Sequence, residues 1–171
     1  MNTDYGAMNT DIKATKVYGR KDFMMNVRPG IIIQQDNQIL LLKYNYSGQD
    51  VFGLPGGNSD EGETLRDTLV RELQEELNLT IEVHNLALMG EVILAEKKKS
   101  ILHCVFWGRM ISGSPETNPE HTTTDGFVWI DAGKLDTIKM YPNVGRFIKD
   151  LLQMKGECPN PYIGQIPQKW F

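Results

Sequence analysis

The feature that most constrains this chain is segment 53–79, in which a glycine turn precedes a helix with acidic residues on one side. An α-helix advances about 100° per residue, so Glu75 and Glu76 lie about 60° to one side and about 40° to the other of Glu72. The neighbouring arc is apolar and carries Leu65, Leu69, Val70, Leu73 and Leu77. The pattern predicts a helix that buries its apolar arc and holds three carboxylates at the rim of the core.

Two explanations fit the acidic arc. A charge run on a helix is usually a solvated face, and like charges at this spacing cost only about 0.2–0.5 kcal/mol per pair. Alternatively, a divalent cation lies among the carboxylate oxygens, which are the ligands that Mg²⁺ prefers. The preceding turn Leu54-Pro55-Gly56-Gly57 favours the second explanation, because glycine lets a backbone approach a ligand closely.

The spacing of the motif is distinctive. Five residues separate Gly57 from Glu63, seven more separate Glu63 from Arg71, and Glu-Leu-Gln-Glu-Glu-Leu-Asn-Leu follows. The segment resembles the signature of the Nudix hydrolases, in which a glycine, a glutamate and Arg-Glu-aliphatic-any-Glu-Glu-any-Gly-aliphatic have this spacing. Six fixed identities arise by chance about once in 10⁷ starting positions. The late glycine of the signature is Asn78 here, and asparagine can also close a helix in the left-handed conformation.

The resemblance implies an α/β fold, the Nudix-type α/β/α sandwich with a mixed β-sheet. It also implies metal-assisted hydrolysis of a nucleoside diphosphate linked to another group. The residues that match the family's metal ligands are the Gly57 carbonyl, with the Gly56 carbonyl as alternative, and the carboxylates of Glu72, Glu75 and Glu76. The matching catalytic residues are Glu75, Glu76, Glu63 and Arg71, of which the last two tie the loop to the helix. Mg²⁺ is the expected cofactor and Mn²⁺ the alternative.

Elementary chemistry agrees with these roles. Mg²⁺ keeps several open or water-filled positions beside two or three carboxylates, which leaves room for phosphate oxygens and a nucleophilic water. The planar fork of Arg71 can hold Glu63 through two hydrogen bonds. The general base stays open between Glu75 or Glu76 in the motif and a later loop that contains Glu120, His121 and Asp125, with Glu91 as a weaker candidate.

The rest of the chain alternates apolar runs with turns. Residues 31–33 and 39–42 predict a hairpin of strands buried on both faces. Further strands are expected at 80–83, 86–94, 101–111 and 127–130, with an exposed turn at 96–100 and a loop at 112–124. Residues 143–154 predict an amphipathic helix that Pro142 starts. We expect an N-terminal arm at 1–22, one hydrolase domain at 23–155 and a tail at 156–171 that packs on the domain as an extended strap or contacts a partner.

Composition narrows the function class. A length of 171 residues suits one domain, and no apolar run reaches the roughly 18 residues that span a bilayer. The start lacks the features of a signal peptide, so a cytoplasmic location is expected. A net charge of −4 argues against a nucleic-acid-binding face. The expected partner is a small nucleotide, no membrane is involved, and the protein is a monomer or a homodimer.

The substrate must be selected outside the motif. Tyr44, Tyr46, Phe52 and Trp129 could meet a base, but aromatic residues in such positions more often pack in or beside a core. His84 and His103 are interpreted as structural. The downstream proline or tyrosine typical of ADP-ribose and dinucleoside-polyphosphate enzymes is missing, which favours a nucleoside triphosphate. The alternatives are an ADP-ribose or nucleotide-sugar pyrophosphatase and a non-catalytic nucleotide sensor.

Overall fold

The computed structural model describes residues 25–94, 99–155 and 160–168. The expected N-terminal arm lies outside these ranges. The strands are β1 (Met25–Gln35), β2 (Gln38–Tyr46), β3 (Gln49–Gly53), β4 (Thr80–Leu94), β5 (Lys99–Ser112), β6 (Gly126–Asp131) and β7 (Tyr162–Gln165). The helices are α1 (Leu65–Leu77), a 3₁₀ turn at Ala132–Lys134 and α2 (Gly145–Gln153). None of the helices in the described ranges is long and apolar enough to cross a membrane.

The strands form one mixed sheet in the order β3-β2-β1-β5-β4-β7, and β6 pairs with β2. β1 and β2 form the predicted hairpin around the turn at residues 36–37. β1 pairs in parallel with β5 over nine residues, whereas β4 and β5 are antiparallel. Strands 80–83 and 86–94 of the prediction are one strand, whose pairing with β5 shifts register at three places, one of them between Val83 and Leu86.

Alternate residues of the central strands enter two separate cores. On one face Ile31, Ile33, Leu40 and Leu42 pack with the leucines of α1, and on the other face Ile32, Ile39 and Leu41 pack with α2. Successive side chains of a strand point to opposite faces, so a continuous apolar run supplies both cores. This confirms the expected α/β/α sandwich with a mixed sheet.

The two helices differ in how they begin and end. The Thr64 hydroxyl and the Asp67 carboxylate form a reciprocal capping box at the start of α1. Asn78 ends α1 with φ 54° and ψ 36°, which confirms the left-handed closure. Val70 is 45% exposed, so its expected burial was wrong; the core takes only the narrower leucine stripe. The N-cap of α2 is Val144, so Pro142 does not start that helix.

Two surface predictions needed correction or refinement. Ser100 was expected in an exposed turn, but it lies in β5 and is buried because β5 begins two residues earlier than predicted, at Lys99, and pairs there with the ends of β1 and β4. Residues 96–98 of that turn lie outside the described ranges. The tail contains a strand, β7, which pairs in parallel with β4. Ile166, which follows it, is 1% exposed and belongs to the α2-side core.

Candidate active site

The glycine turn is held between β1 and α1 at very close range. The backbone N–H of Ile31 donates to the Pro55 carbonyl at 3.0 Å. A β-carbon on Gly56 would lie 2.5 Å from the Pro29 carbonyl oxygen, and Gly56 has a φ of +137°. A β-carbon on Gly57 would lie 2.0 Å from Oε1 of Glu72. Only glycine at these two positions lets the turn meet the strand and lets the Glu72 carboxylate meet the turn.

Arg71 is the organising cation of the site. Its Nε donates to Glu63 Oε1 at 2.7 Å and its Nη2 to Glu63 Oε2 at 3.0 Å, which is the expected bidentate pair. Its Nη2 also donates to the Asn58 carbonyl at 3.0 Å, and its Nη1 donates to Glu72 and Glu75, each at 3.1 Å. All five guanidinium N–H groups therefore have partners, and one side chain ties the turn to two glutamates of α1.

Glu63 is locked in its charged form. The hydrogen bonds from Arg71 are the main reason that its pKa falls to about 2, and the Asp60 backbone N–H and the Thr68 hydroxyl add smaller contributions. The same contacts, led by Glu63, raise the pKa of Arg71 above its ordinary value. This pair is a permanent ionic joint, so it can position neighbours but is not suited to exchange protons near neutral pH.

Glu76 has a different environment. Its Oε1 accepts a hydrogen bond from the Thr122 hydroxyl at 2.9 Å, while its Oε2 is buried and has no hydrogen-bond partner among the described residues. Burial is the main cause that raises the pKa of this carboxyl, and the neighbouring Glu72 raises it further. A buried carboxylate oxygen without a partner is costly unless a ligand supplies one.

The loop 113–125 reaches the site through threonines rather than through its charged residues. The backbone N–H of Asn118 donates to the Glu76 carbonyl at 3.0 Å, so the loop is anchored on the end of α1. Thr122 bonds Glu76, and Thr123 lines the adjoining cavity. The loop candidates for the general base, Glu120, His121 and Asp125, are all exposed and do not line that cavity. Glu91 bonds the Tyr162 hydroxyl of the tail strand and does not line it either.

The carboxylate oxygens of the site suit a hard divalent cation, although they do not converge on a single position. In the described ranges no three acidic, histidine or cysteine side chains converge as a cation site would require. Glu72 and Glu75 each accept a hydrogen bond from Arg71 instead. However, the unpartnered Oε2 of Glu76 and the Glu72 carboxylate pressed against Gly57 both offer oxygen ligands of the kind that Mg²⁺ prefers. The residues fit a divalent cation, and the assignment of individual ligands stays a prediction.

A cavity of about 510 Å³ opens beside Glu76. Its basic residues are Arg28 and Lys99, and its aromatic residues are Tyr44, Tyr46, Phe52, His103 and Tyr141. The rings of Tyr44 and Tyr46 stack with centroids 6.1 Å apart. Burial, and then the charge of Glu76, raise the pKa of Tyr44 to about 12. The cavity and the acidic rim of α1 are therefore one continuous site.

Sequence reasoning placed several of these residues differently. Tyr44 packs at the edge of the α1-side core, as expected, but it also lines the cavity together with Tyr46, whereas Trp129 packs against the same core and does not line the cavity. Arg28 was missed altogether. Its Nη2 donates to the Gly56 carbonyl at 3.3 Å and its Nη1 to Asn58 Oδ1 at 3.4 Å. An isolated arginine near the start of a strand carries no local signal; it meets the turn because the turn packs against β1, where the Ile31 N–H donates to the Pro55 carbonyl.

Comparisons with known proteins agree with this geometry. A family profile described as the NUDIX domain matches residues 24–151. The chain is 31% identical over 121 residues to a candidate 8-oxo-dGTP diphosphatase of Bacillus subtilis (strain 168), covering 70% of this chain and 74% of that protein. It is 37% identical over 79 residues to an ADP-ribose pyrophosphatase of Methanocaldococcus jannaschii, covering 43% of this chain and 47% of the relative.

The fold is similar to that of a MutT NUDIX hydrolase from Burkholderia pseudomallei, with a TM-score of 0.62 and 24% identity over 74% of this chain and 97% of the other. The turn, the Arg71 joint and the acidic rim of α1 occupy the part of the chain that the family profile covers. The chain belongs to the Nudix family and is a Nudix pyrophosphohydrolase that acts on pyrophosphate-containing substrates.

Proposed function

We propose that this enzyme hydrolyses the pyrophosphate bond of a nucleoside diphosphate linked to another group, with a nucleoside triphosphate as the first candidate. The observation that carries the proposal is the cavity beside Glu76, whose wall combines aromatic rings with Arg28 and Lys99. Aromatic faces suit a base, and guanidinium and ammonium groups suit phosphates. A volume of about 510 Å³ lies within the range of small-molecule sites.

The residues proposed to hold Mg²⁺ or Mn²⁺ are the Gly57 carbonyl and the carboxylates of Glu72, Glu75 and Glu76. The Gly56 carbonyl already accepts a hydrogen bond from Arg28, which favours Gly57 as the backbone ligand. When bound, the metal supplies positive charge to the phosphate oxygens and acidifies water. The site carries more carboxylates than guanidinium groups, so an added cation relieves the repulsion among them.

The chain's own groups then have separate tasks. Arg71 and Glu63 fix the turn relative to α1, so the backbone and carboxylate ligands keep their spacing. Arg28, joined to the turn, draws the phosphates toward the acidic rim. Water attacks phosphorus, the bridging P–O bond breaks, and the water proton passes to a carboxylate of the motif. Glu76 lines the cavity and Glu75 shares the Arg71 side chain with Glu72, whereas Glu120, His121 and Asp125 do not line the cavity, so we assign the base to Glu75 or Glu76.

The test is a substrate panel assayed with Mg²⁺, with Mn²⁺ and with chelator alone, in which the released phosphate species are identified. The panel contains nucleoside triphosphates, 8-oxo-dGTP, ADP-ribose, nucleotide sugars and dinucleoside polyphosphates. The two relatives make 8-oxo-dGTP and ADP-ribose obligatory members. We expect metal-dependent hydrolysis of at least one nucleotide, and Glu75→Gln and Glu76→Gln variants show which carboxylate is essential. Binding of a nucleotide without cleavage under either metal would support the sensor alternative instead.

A further inference from the structure

His103 lies on β5 in the wall of the cavity beside Glu76. The residue is 3% exposed, and its Nε2 has no hydrogen-bond partner among the described residues. Most buried polar atoms in folded proteins are paired, because an unpaired one costs about 1–3 kcal/mol. The sequence-based interpretation of His103 as structural leaves this atom unexplained. An unpaired polar atom in the wall of a ligand cavity points to a group that the ligand supplies.

The protonation state limits what that group can be. Burial, and then the positive charge of Arg28, lower the pKa of His103 to about 4. The imidazole is therefore neutral at neutral pH and contributes one hydrogen bond through Nε2, either as donor or as acceptor. A neutral ring offers a phosphate far less than Arg28 or Lys99, which line the same cavity. The neutral ring therefore favours an uncharged part of the substrate as the partner of Nε2.

The surroundings of His103 select a planar partner. The ring of Tyr141 meets His103 edge to face, with centroids 5.6 Å apart. Tyr44, Tyr46 and Phe52 contribute further aromatic faces to the cavity. Aromatic rings bind flat heterocycles well but discriminate poorly among them, because each base presents a similar face. Discrimination needs a directional hydrogen bond at the edge of the base.

We propose that His103 is a specificity-determining residue of this enzyme, and that its Nε2 hydrogen-bonds a polar edge atom of the substrate's nucleobase, which lies among the aromatic side chains of the cavity. The proposal deepens the proposed function and rests on it. Arg28, bonded to the catalytic turn, is placed to meet the phosphates. His103 lies opposite Arg28 in the pairing of β1 with β5, but its neutral ring suits the uncharged base, so its contribution should depend on the presence of a base.

The test combines variants of His103 with removal of the base from the substrate. For the wild type and for His103→Leu, kcat/KM is measured with the preferred nucleoside triphosphate and with ribose 5′-triphosphate, which has no base. We expect His103→Leu to lose about tenfold on the nucleotide, the equivalent of one hydrogen bond, and less than about twofold on ribose 5′-triphosphate. An equal loss on both substrates, or no loss on either, overturns the proposal.

Two amide variants of His103, one with glutamine and one with asparagine, give a matched control for the position of the hydrogen-bonding atom. The amide of glutamine reaches the position of Nε2, whereas that of asparagine reaches only the position of Nδ1. We therefore expect His103→Gln to retain most of the activity on the nucleotide and His103→Asn to behave like His103→Leu, with similar melting temperatures for the two amide variants. Equal activities of the two amide variants contradict a contact made through Nε2.

A binding measurement keeps the proposal testable without turnover. The chain has three histidines, and His84 and His121 are exposed, so the imidazole ¹⁵N resonances of the wild type can be assigned by single substitutions. A methylene-bridged, non-hydrolysable nucleotide should shift the Nε2 resonance of His103, and the methylene analogue of ribose triphosphate should not. If the analogue shifts this resonance but the enzyme cleaves no nucleotide of the panel, the proposed function alone is refuted. A bound nucleotide that leaves this resonance unmoved would refute the role of His103 alone.

Discussion

Replacing Gly57 with alanine isolates the position of a single carboxylate. The added β-carbon would lie 2.0 Å from Oε1, 2.1 Å from Cδ and 2.4 Å from Oε2 of Glu72. Non-bonded carbon and oxygen atoms need more than about 3 Å, so the Glu72 carboxylate must withdraw by about 1 Å or more. The φ of Gly57 is outside the left-handed region, so alanine does not strain the backbone there. The change therefore moves the carboxylate and leaves the fold.

The expected loss in kcat/KM is about 100-fold, because a displacement of about 1 Å in a catalytic group costs about that factor. This corresponds to about 2.7 kcal/mol in the activation barrier. The assay is metal-dependent hydrolysis of the best nucleotide in the panel, with urea unfolding measured in parallel. The urea concentration at the unfolding midpoint should change little, since the Glu72 side chain can swing toward solvent.

The decisive control is the same substitution in a Glu72→Ala background, assayed at high enzyme concentration. With no carboxylate to displace, Gly57→Ala should have little further effect on the residual activity. It should then stabilise the fold by about 0.4–1 kcal/mol, because alanine restricts the unfolded chain. Wild-type activity of Gly57→Ala, or the same 100-fold loss in both backgrounds, would refute the assigned contact between the turn and Glu72.

Four further outcomes are expected. Glu75→Gln should abolish Mg²⁺-dependent hydrolysis, because this carboxylate is a proposed metal ligand, and should leave the protein folded, because the side chain is 40% exposed. Full activity of the variant would reject the role of Glu75. Arg71→Lys should lower both activity and melting temperature, since one ammonium cannot replace the fork that holds Glu63; a change in metal affinity alone would contradict this. The contribution of His103 to the free energy of unfolding should fall by about 3 kcal/mol as the pH falls from 6.5 to 4, because the unfolded chain protonates this histidine at a higher pH than the folded chain does. In urea unfolding His103→Gln should lack this pH dependence, and identical pH dependences of the two proteins would refute the prediction. Ile166→Ala should cost about 2–5 kcal/mol and Ile166→Val about 0.5–1.5 kcal/mol, and equal stabilities would show that the tail does not contribute to the core.

The parts of the fold that the sequence predicted are those with a local cause. The leucine period and Asn78 set the length of α1, and the signature spacing identified the pair that Arg71 forms. The cavity was harder to predict because its residues come together only through strand pairing. Arg28 looks like an ordinary surface charge, and His103 looks like a core histidine, until β1 and β5 pair with Arg28 opposite His103. In the folded chain Arg28 bonds the turn that packs on β1, and His103 lies in the aromatic wall of the cavity.

The composition of the tail hid its structure for a similar reason. Prolines on both sides and a run of only four residues give β7 no alternating pattern, so local propensity favours an extended strap. β7 forms because it pairs with the edge of β4, a strand that the sequence did predict. The backbone N–H of Met89 donates to the Pro161 carbonyl and that of Ile166 to the Glu91 carbonyl, each at 2.7 Å.

β7 also has a consequence for behaviour in concentrated solution. β4 is a fifteen-residue strand at the border of the sheet, and β7 occupies the backbone hydrogen-bonding groups around Met89 and Glu91. If proteolysis removed the chain beyond Lys155, those groups would become a free template for a strand of another molecule. The exposed side chain of Ile93, nearby on the same strand, would add apolar surface to such a contact. We therefore expect loss of the tail to favour intermolecular strand pairing, and aggregates that grow from it.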